Sequence, residues 1–270
     1  MTETPEIKQM SPSAARRKEA KKRAWDCFFT KGNSLTLIAA TLIPLIMYMA
    51  AQGIYSMVYY AIDPEEMGGW IAEVASVVDF ILIFLMLPLV GGTLYIATGL
   101  ARGEERHARD IFYAYTSWRA HARTWIGLLI PLLALSAVAG VVSVILMASQ
   151  GLMEMAAAMK EGETYAYLFY DGGTLFAVLA GIVGLLLCSY VMPFVWLTFA
   201  HPECSLATLL SRSIASVRGR LGAWLILHIS FLGWLALSVA SVGILLVLFV
   251  APYYLLAVSF DLEQQYLISD

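Results

Sequence analysis

Long apolar stretches, almost free of charged side chains, dominate this sequence. A helix that crosses the ~30 Å hydrocarbon core of a bilayer needs about 20 apolar residues. The last stretch, residues 221–260, has about twice that length and divides most naturally at residues 241–243. The sequence therefore predicts an all-α membrane protein with six spans, at residues 35–55, 75–98, 125–147, 174–198, 221–240 and 244–260.

Composition excludes a water-soluble globular domain. Hydrophobic residues make up 60% of the chain and charged residues only 14%, whereas soluble domains are about 45–50% apolar. A soluble chain of this composition has too few polar groups to cover its surface. Lipid must therefore be the solvent for most of the chain.

The distribution of basic residues supports the count of six. Sixteen of the 17 lysines and arginines precede span one, lie between spans two and three, or lie between spans four and five, and only Lys160 falls on the other side. Loops on the cytoplasmic side of a membrane carry such an excess. We therefore predict that both termini are cytoplasmic.

Three basic segments with one apolar face precede the three pairs of spans. They cover residues 14–30, 110–123 and 205–217, and such segments suit helices that lie in the headgroup plane. We predict a disordered tail at residues 1–13 and a single membrane domain at 14–270. Its three units, 14–100, 101–199 and 200–270, each consist of an interfacial helix and a helical hairpin.

Basic side chains on these segments are expected to contact anionic lipid headgroups, which attract Lys and Arg by about 1 kcal/mol each. The alternative is that they determine topology alone, and both can hold. The candidate headgroup contacts are Arg16, Arg17, Lys21, Lys22, Arg119, Arg123, Arg218 and Arg220.

Five prolines fall within the predicted spans. Each removes a helical hydrogen bond, which a membrane tolerates where a neighbour satisfies the freed carbonyl. They can be helix hinges around a transport site, or they can reflect the general abundance of proline in membrane helices. These prolines are Pro44, Pro88, Pro131, Pro193 and Pro252.

Two ionisable side chains lie inside spans. Asp79 is the one acidic residue well within a span, and it lies near the predicted outer end of span two. His228 lies a similar distance from the predicted cytoplasmic end of span five. An intramembrane ionisable residue is a functional candidate by default. Their predicted depths differ by about 10 Å, so we expect no direct pairing.

A metal site is not expected. His201, Glu203 and Cys204 are close in sequence, but zinc needs about four ligands and no second half is recognisable. We instead expect Pro202 and Glu203 to open a helix. No known catalytic or dinucleotide motif occurs, so we expect neither an enzyme nor a cofactor, and no nucleic-acid partner.

Small residues spaced by four predict a face on span four that allows close helix approach. They are Gly173, Ala177 and Gly181 on one stripe and Ala180, Gly184 and Cys188 on the next.

Nine residues in the last part of the chain form a recognisable pattern: Pro202, Glu203, Ser211, Gly219, Gly233, Trp234, Gly243, Pro252 and Tyr253. Through these residues the last 70 positions resemble a bacterial family of membrane proteins catalogued as domain of unknown function 975. A segment between spans two and three, including Arg102-Gly103-Glu104, looks similar as well. The resemblance implies a six-helix domain in a bacterial plasma membrane and no activity. A looser likeness is to the membrane domains that precede glycerophosphodiester phosphodiesterases.

Tyr253 is expected to anchor at the headgroups, and Gly233-Trp234 to pack the last hairpin against a neighbour. Two functions from different classes are compatible with these features. The first is a non-catalytic membrane scaffold or accessory protein that contacts lipid and a membrane protein partner or a second copy of itself. The second is a small-molecule or lipid transporter with proline-hinged helices. A lipid-acting membrane enzyme is a third and weaker possibility.

Overall fold

The computed structural model describes residues 12–30, 32–61, 70–158, 163–241 and 243–266, and in these residues helices are the only regular secondary structure. Residues 1–11 of the predicted tail and residues 62–69 of the loop predicted between spans one and two lie outside the described residues, whereas Pro12 and Ser13 of the predicted tail already belong to α1. The helices are α1 (Pro12–Phe29), α2 (Asn33–Ala61), α3 (Trp70–Ala101), a 3₁₀ helix (Ala108–Tyr115), α4 (Trp118–Ala158), α5 (Glu163–Ala200), α6 (Leu206–Val217), α7 (Leu221–Ile229), α8 (Leu232–Ala240), a π-helical turn (Leu246–Val250) and α9 (Ala251–Tyr266).

Six segments of the described chain are long and apolar enough to cross a membrane, which confirms the predicted number of apolar helices. The fifth segment is interrupted between α7 and α8, where the Phe231 amide donates to the His228 carbonyl at 3.0 Å. The six segments are Asn33–Met57, Val77–Ala101, Trp118–Gln150, Gly173–Ala200, Leu221–Ala240 and Leu246–Gln265.

One end of the bundle, which we call the basic end, carries α1, the 3₁₀ helix and α6. Here Arg102, just beyond α3, donates to the Ala200 carbonyl at the end of α5. Towards the far end, apolar side chains of α4 and α5 face outward, and Val144 and Leu175 are 66% and 60% exposed. Such a surface suits hydrocarbon. Large side chains buried in the described part include Leu37, Ile96, Ile111, Phe194, Phe199, Leu209 and Leu256.

Helix α1 begins at Pro12, close to its predicted start, and buries one apolar face on the protein. Ala24 and Phe28 are buried, while Trp25 and Phe29 stay exposed. The helix packs mainly on α9 and only lightly on α2. The first predicted interfacial helix therefore exists as a helix, but its main partner is the last hairpin and not its own.

The prediction of a second interfacial helix, at residues 110–123, is wrong. The chain forms a 3₁₀ helix that ends at Tyr115, and Ser117 caps α4 by accepting from the Ala120 amide at 3.2 Å. Ile111 is buried where the 3₁₀ helix meets Gly92 of α3, and a Cβ at Gly92 would overlap the Ile111 carbonyl. Close docking on α3 thus interrupts the predicted helix.

The third predicted interfacial helix corresponds to α6. Its N-cap is Ser205, whose hydroxyl accepts from the Thr208 amide at 3.2 Å. Pro202 and Glu203 lie in the preceding turn, so the prediction that they open the helix is wrong. The stronger side-chain cap at Ser205 sets the start. Like α1, α6 packs mainly on a different unit, against α5.

The small-residue face of α5 makes the predicted close helix approach, and its partner is α4. A Cβ added at Gly173 would overlap Ser149, and one added at Gly184 would overlap Val138. Cys188, at the end of the same face, is buried. These contacts make α4 and α5 a long, closely packed hairpin.

Candidate functional site: the basic end of the bundle

Arg123 ties α4 to the end of α5. Its guanidinium donates to the carbonyls of Thr198 at 3.2 Å and of His201 and Cys204 at 2.9 Å each. These carbonyls lie at and just beyond a helix C-terminus, where cations are favourable. Arg123, predicted to contact headgroups, is thus engaged within the protein.

Two further candidate headgroup residues also have partners in the protein. Arg220 lies 3.3 Å from both carboxylate oxygens of Asp261, which is buried. The Lys21 ammonium donates to the Ser230 hydroxyl at 2.6 Å and lies 4.7 Å from the centre of the Phe231 ring. Burial, and then the charge of Arg17, lower the pKa of Lys21. Arg220 thus joins the two arms of the last hairpin, and Lys21 attaches the hairpin to α1.

The other basic candidates remain available for lipid. Lys22, Arg119 and Arg218 are exposed, and Arg16 and Arg17 are half-buried. Headgroup contact therefore stays a prediction for these five side chains.

A cluster around Glu104 closes the loop after α3. Glu104 pairs with Arg102 at 3.2 Å and also with Arg106, whose guanidinium lies 3.9 Å from the centre of the Tyr95 ring. Gly103 takes a φ of +79° and ends the helix, a conformation that favours glycine. The segment Arg102-Gly103-Glu104 is thus a structural turn.

His201 is buried between two acidic side chains. Its Nδ1 lies 3.3 Å from Glu203 and its Nε2 lies 3.4 Å from Glu263 on α9. In the described part of the chain, no group of three or more His, Cys, Asp or Glu side chains could hold a metal ion. The cluster therefore connects the turn after α5 to α9.

Two span prolines leave a carbonyl that a hydroxyl from another element binds. Pro44 lacks the amide that would bond Ala40, and the Thr93 hydroxyl of α3 donates to the Ala40 carbonyl at 2.7 Å. Pro252 follows the π-helical turn, where the hydrogen bonds run five residues back. The carbonyl it leaves is that of Val247, which lies 3.0 Å from the Thr41 hydroxyl, and this hydroxyl is also 2.9 Å from the Ile38 carbonyl of its own helix.

At two more prolines, a hydroxyl binds the carbonyl three residues before the proline, and not the carbonyl four residues before it. The Leu85 carbonyl, three residues before Pro88, accepts from the Tyr115 hydroxyl of the 3₁₀ helix.

In the same way the Tyr190 carbonyl, three residues before Pro193, accepts from the Ser213 hydroxyl of α6 at 2.8 Å. Pro131 is buried. Pro44, Pro88, Pro131 and Pro193 all lie within continuous helices, so each proline turn is part of the helix packing.

The two intramembrane polar candidates do not meet. Asp79 accepts from the Gln52 side chain of α2 at 2.7 Å, and His228 contacts the Trp224 carbonyl of its own helix at 2.8 Å. Asp79 thus ties α2 to α3, which the sequence did not predict.

Three cavities differ in chemistry. A polar cavity of about 620 Å³ at the basic end is lined by Asn33, Glu104 and Arg106, among others. A groove of about 560 Å³ between α3 and α4 is lined almost wholly by apolar and aromatic side chains. A third, of about 360 Å³, lies between α7–α8 and α9 and includes His228 and Tyr254.

Four of the nine residues that carry the family resemblance lie in turns, namely Pro202, Glu203, Gly219 and Gly243. Gly219 and Gly243 have φ values of +77° and +80° and end helices. A Cβ at Gly233 would meet nothing within 4 Å, so no close helix approach requires this glycine. Tyr253 is buried and its hydroxyl donates to the Lys21 carbonyl at 3.3 Å, so its predicted headgroup anchoring is wrong. Trp234 packs on Phe249, with ring centres 5.4 Å apart.

Comparison of the chain with known proteins found no matching family model, no matching curated protein and no matching solved structure.

Proposed function

We propose that the chain is a multi-pass protein of a bacterial plasma membrane, with its basic end in the cytoplasm, and that it belongs with the family it resembles. The partition of 16 basic residues against one supports this orientation. We propose further that the protein is a non-catalytic scaffold or accessory subunit that contacts lipid and a partner protein.

The proline turns carry the scaffold proposal. A hinge needs a turn that can open, whereas the freed carbonyls at Pro44 and Pro252 are bound by Thr93 and Thr41. Opening the turn at Pro44 would leave the carbonyl of the buried Ala40 without a donor, at a cost of about 1–3 kcal/mol. This favours a fixed basic end over a rocking one.

Partner capture tests the proposal. The tagged chain, expressed at its native level, is crosslinked in membranes, purified in mild detergent and identified with its neighbours by mass spectrometry. A tagged, unrelated multi-pass protein is the control, and two differently tagged copies of this chain report self-association. We expect one protein, or a second copy, in constant ratio to the bait. Recovery of no reproducible neighbour would contradict the scaffold proposal.

A transporter is the second candidate, because the cavity beside His228 lies within the apolar region and Asp79 sits between two spans. If either side chain couples proton movement to transport, Asp79→Asn or His228→Ala abolishes the cellular phenotype of the protein. The scaffold proposal predicts that both variants retain it.

The groove between α3 and α4 is the proposed lipid contact. Its wall on α4 runs from Trp118 to Leu132, about 21 Å at 1.5 Å per residue, enough for an acyl chain to follow into the bilayer. Trp118, 80% exposed, lies at its basic end, where an amphipathic ring suits the headgroup level. Arg119 is exposed one turn before Ala122 on the same helix face and can meet a phosphate.

Photo-crosslinking tests this contact. Phosphatidylglycerol or phosphatidylcholine with a diazirine on the acyl chain is reconstituted with the full chain, and labelled peptides are mapped. We expect labels on the groove walls, with phosphatidylglycerol favoured about fivefold, the factor for ~1 kcal/mol from one basic side chain. Ala122→Trp should fill the groove and reduce labelling, Arg119→Gln should remove the preference, and Ala139→Trp, on an exposed face of α4, is the matched control. Even labelling around all lipid-facing surfaces would contradict a specific contact.

A further inference from the structure

The last hairpin, α7–α9, is shifted along the bundle relative to α2–α5. The Thr41 hydroxyl lies 3.0 Å from the Val247 carbonyl, so these two residues lie at the same level. Thr41 is about 12 Å from the start of α2 at Asn33, and α2 continues for about 30 Å beyond it to Ala61, at 1.5 Å per residue. The tip of the hairpin at Gly243, by contrast, is only about 6 Å from Val247.

A second contact gives the same level independently. The rings of Phe28 and Phe249 have centres 5.7 Å apart. Phe28 lies at the end of α1, next to the start of α2. From Phe249 the hairpin continues for only about 9 Å to Gly243. Both contacts place the tip within about 20 Å of the level at which α2 begins, whereas α2 itself is about 43 Å long.

Charged side chains locate the edge of the hydrocarbon core near that same level. Glu104 and Arg106 line one cavity with Asn33, the first residue of α2. Arg123 binds the end of α5 nearby. A deeper position for these groups is disfavoured, because a charge near the centre of a membrane helix is costly. With the ~30 Å core starting here, the tip lies about 15–20 Å deep, close to the midplane.

The tip has the chemistry of a segment inside hydrocarbon. Val239 and Ile244, on either side of it, are 80% and 64% exposed. The backbone near the tip is bonded within the hairpin, because the Gly243 amide donates to the Ser238 carbonyl at 2.8 Å and the Leu245 amide donates to the Ser241 hydroxyl at 3.1 Å. The predicted outer loops instead carry several acidic residues, including Glu65 and Glu161. A turn at membrane depth must satisfy its polar groups in this internal way.

We propose that α7–α9 form a re-entrant hairpin, which enters and leaves the bilayer at the basic end and presents its apolar tip to lipid tails near the midplane. Only α2–α5 then cross the membrane. The ion pair of Arg220 with Asp261 closes the base of the hairpin about 27 Å from the tip, and therefore outside the hydrocarbon core at the basic end. Each arm is long enough to cross, but the position of the hairpin along the bundle prevents it. Both ends of the chain stay on one side, so the distribution of basic residues fits this arrangement as well as six spans.

Thiol labelling tests the proposal on the full chain with its three native cysteines replaced by alanine. Single cysteines are placed at Val239 and Ser241 at the tip, at Glu65 in the predicted outer loop, and at Arg218 at the basic end. A membrane-impermeant maleimide is then applied to right-side-out and inside-out vesicles. We expect Glu65→Cys and Arg218→Cys to react from opposite sides, and Val239→Cys and Ser241→Cys to react from neither.

A nitroxide on the tip cysteines then measures depth from its relative collision rates with oxygen and a water-soluble nickel complex. Leu45→Cys, on α2 at about 18 Å from Asn33, is the matched depth control. We expect the tip to lie within about 5 Å of the Leu45 label, a margin of about three helical residues.

Labelling of Val239→Cys or Ser241→Cys from the same side as Glu65→Cys, at a similar rate, would overturn the re-entrant hairpin. A reversed orientation would exchange the sides of Glu65→Cys and Arg218→Cys but leave the tip unreactive. This result would contradict the proposed orientation without contradicting the re-entrant hairpin. Val239 is exposed in the structure, so its replacement removes little packing and keeps the test valid if Ser241→Cys fails to fold.

Discussion

The Thr93 hydroxyl on α3 donates to the Ala40 carbonyl on α2 at 2.7 Å, and this carbonyl is the one that Pro44 leaves without its helical donor. Thr93 is buried and is also 3.2 Å from the Leu89 carbonyl of its own helix. The bond turns a weak point of α2 into a contact between two helices. The Thr41 hydroxyl contacts the carbonyl freed by Pro252, whereas the hydroxyls near Pro88 and Pro193 bind a carbonyl three residues before the proline.

Replacement of Gly92 by alanine should destabilise the protein strongly. A Cβ at this position would overlap the carbonyl of Ile111, which is backbone and cannot move aside without displacing the 3₁₀ helix. Overpacking of this kind costs about 1–3 kcal/mol or more. Thermal unfolding in a mild detergent measures the loss.

The control for this variant is Gly140→Ala, because a Cβ there meets nothing within 4 Å. It should leave stability unchanged or raise it, since alanine favours helix by about 1 kcal/mol over glycine. Equal melting temperatures for the two variants would show that the 3₁₀ helix does not dock tightly on α3.

Arg123→Gln should lower the free energy of unfolding by about 1.5–3 kcal/mol or more, because one hydrogen bond from a charged donor contributes about that much and Arg123 donates to three carbonyls. Arg119→Gln, four residues earlier on the same helix and exposed, should change it by about 0.5 kcal/mol or less. Chemical unfolding of both variants in one detergent provides the comparison. The assignment of Arg123 to an internal role fails if Arg119→Gln costs as much.

The Cys27 thiol should react slowly with iodoacetamide. Burial raises the pKa of this thiol above its ordinary 9.0, and a hydrogen bond from Asn33 opposes the shift. In a chain whose only cysteine is Cys27, the midpoint of the rate against pH should lie above 9.0, and Asn33→Ala should move it higher still.

Because the folded state holds the thiol proton more tightly than the unfolded chain, the free energy of unfolding should fall as pH rises above about 9. Cys27→Ala should reduce that fall. A rate midpoint at or below 9.0 would contradict the burial of the thiol.

The sequence was sufficient for the features that depend on local composition. Apolar length located the six helices, and the spacing of Gly173 and Gly184 predicted the face of α5 that packs on α4, because small side chains at intervals of four or so share one side of a helix. The sequence also predicted that the last two spans divide at residues 241–243, where Gly243 has a φ of +80° that favours glycine.

Features that depend on partners distant in sequence were not predicted. A threonine or serine in a helix ordinarily bonds its own preceding turn, as Thr98 does with Leu94 at 2.9 Å. Nothing local distinguishes it from Thr93, which also reaches another helix.

The 3₁₀ helix was missed for a related reason. An apolar stripe at helical spacing predicts a helix over residues 110–123, and only the close approach to Gly92 of α3 interrupts it.

For the contacts between hydroxyls and carbonyls near the prolines, one sequence signal was present. A proline within a span, with a serine, threonine or tyrosine in another element, could have indicated that a hydroxyl binds the carbonyl near the proline.

A double-mutant cycle between Thr93→Val and Pro44→Ala tests most directly the claim that neighbouring hydroxyls fix the proline turns. Thr93→Val alone should cost about 1–3 kcal/mol, because the Ala40 carbonyl loses its donor. In the Pro44→Ala background the helix supplies its own amide to that carbonyl, so the same substitution should cost about 0.5 kcal/mol or less. Unfolding of the four proteins in one detergent therefore should give a coupling of about 1 kcal/mol or more. Equal costs of Thr93→Val in the two backgrounds would contradict the account.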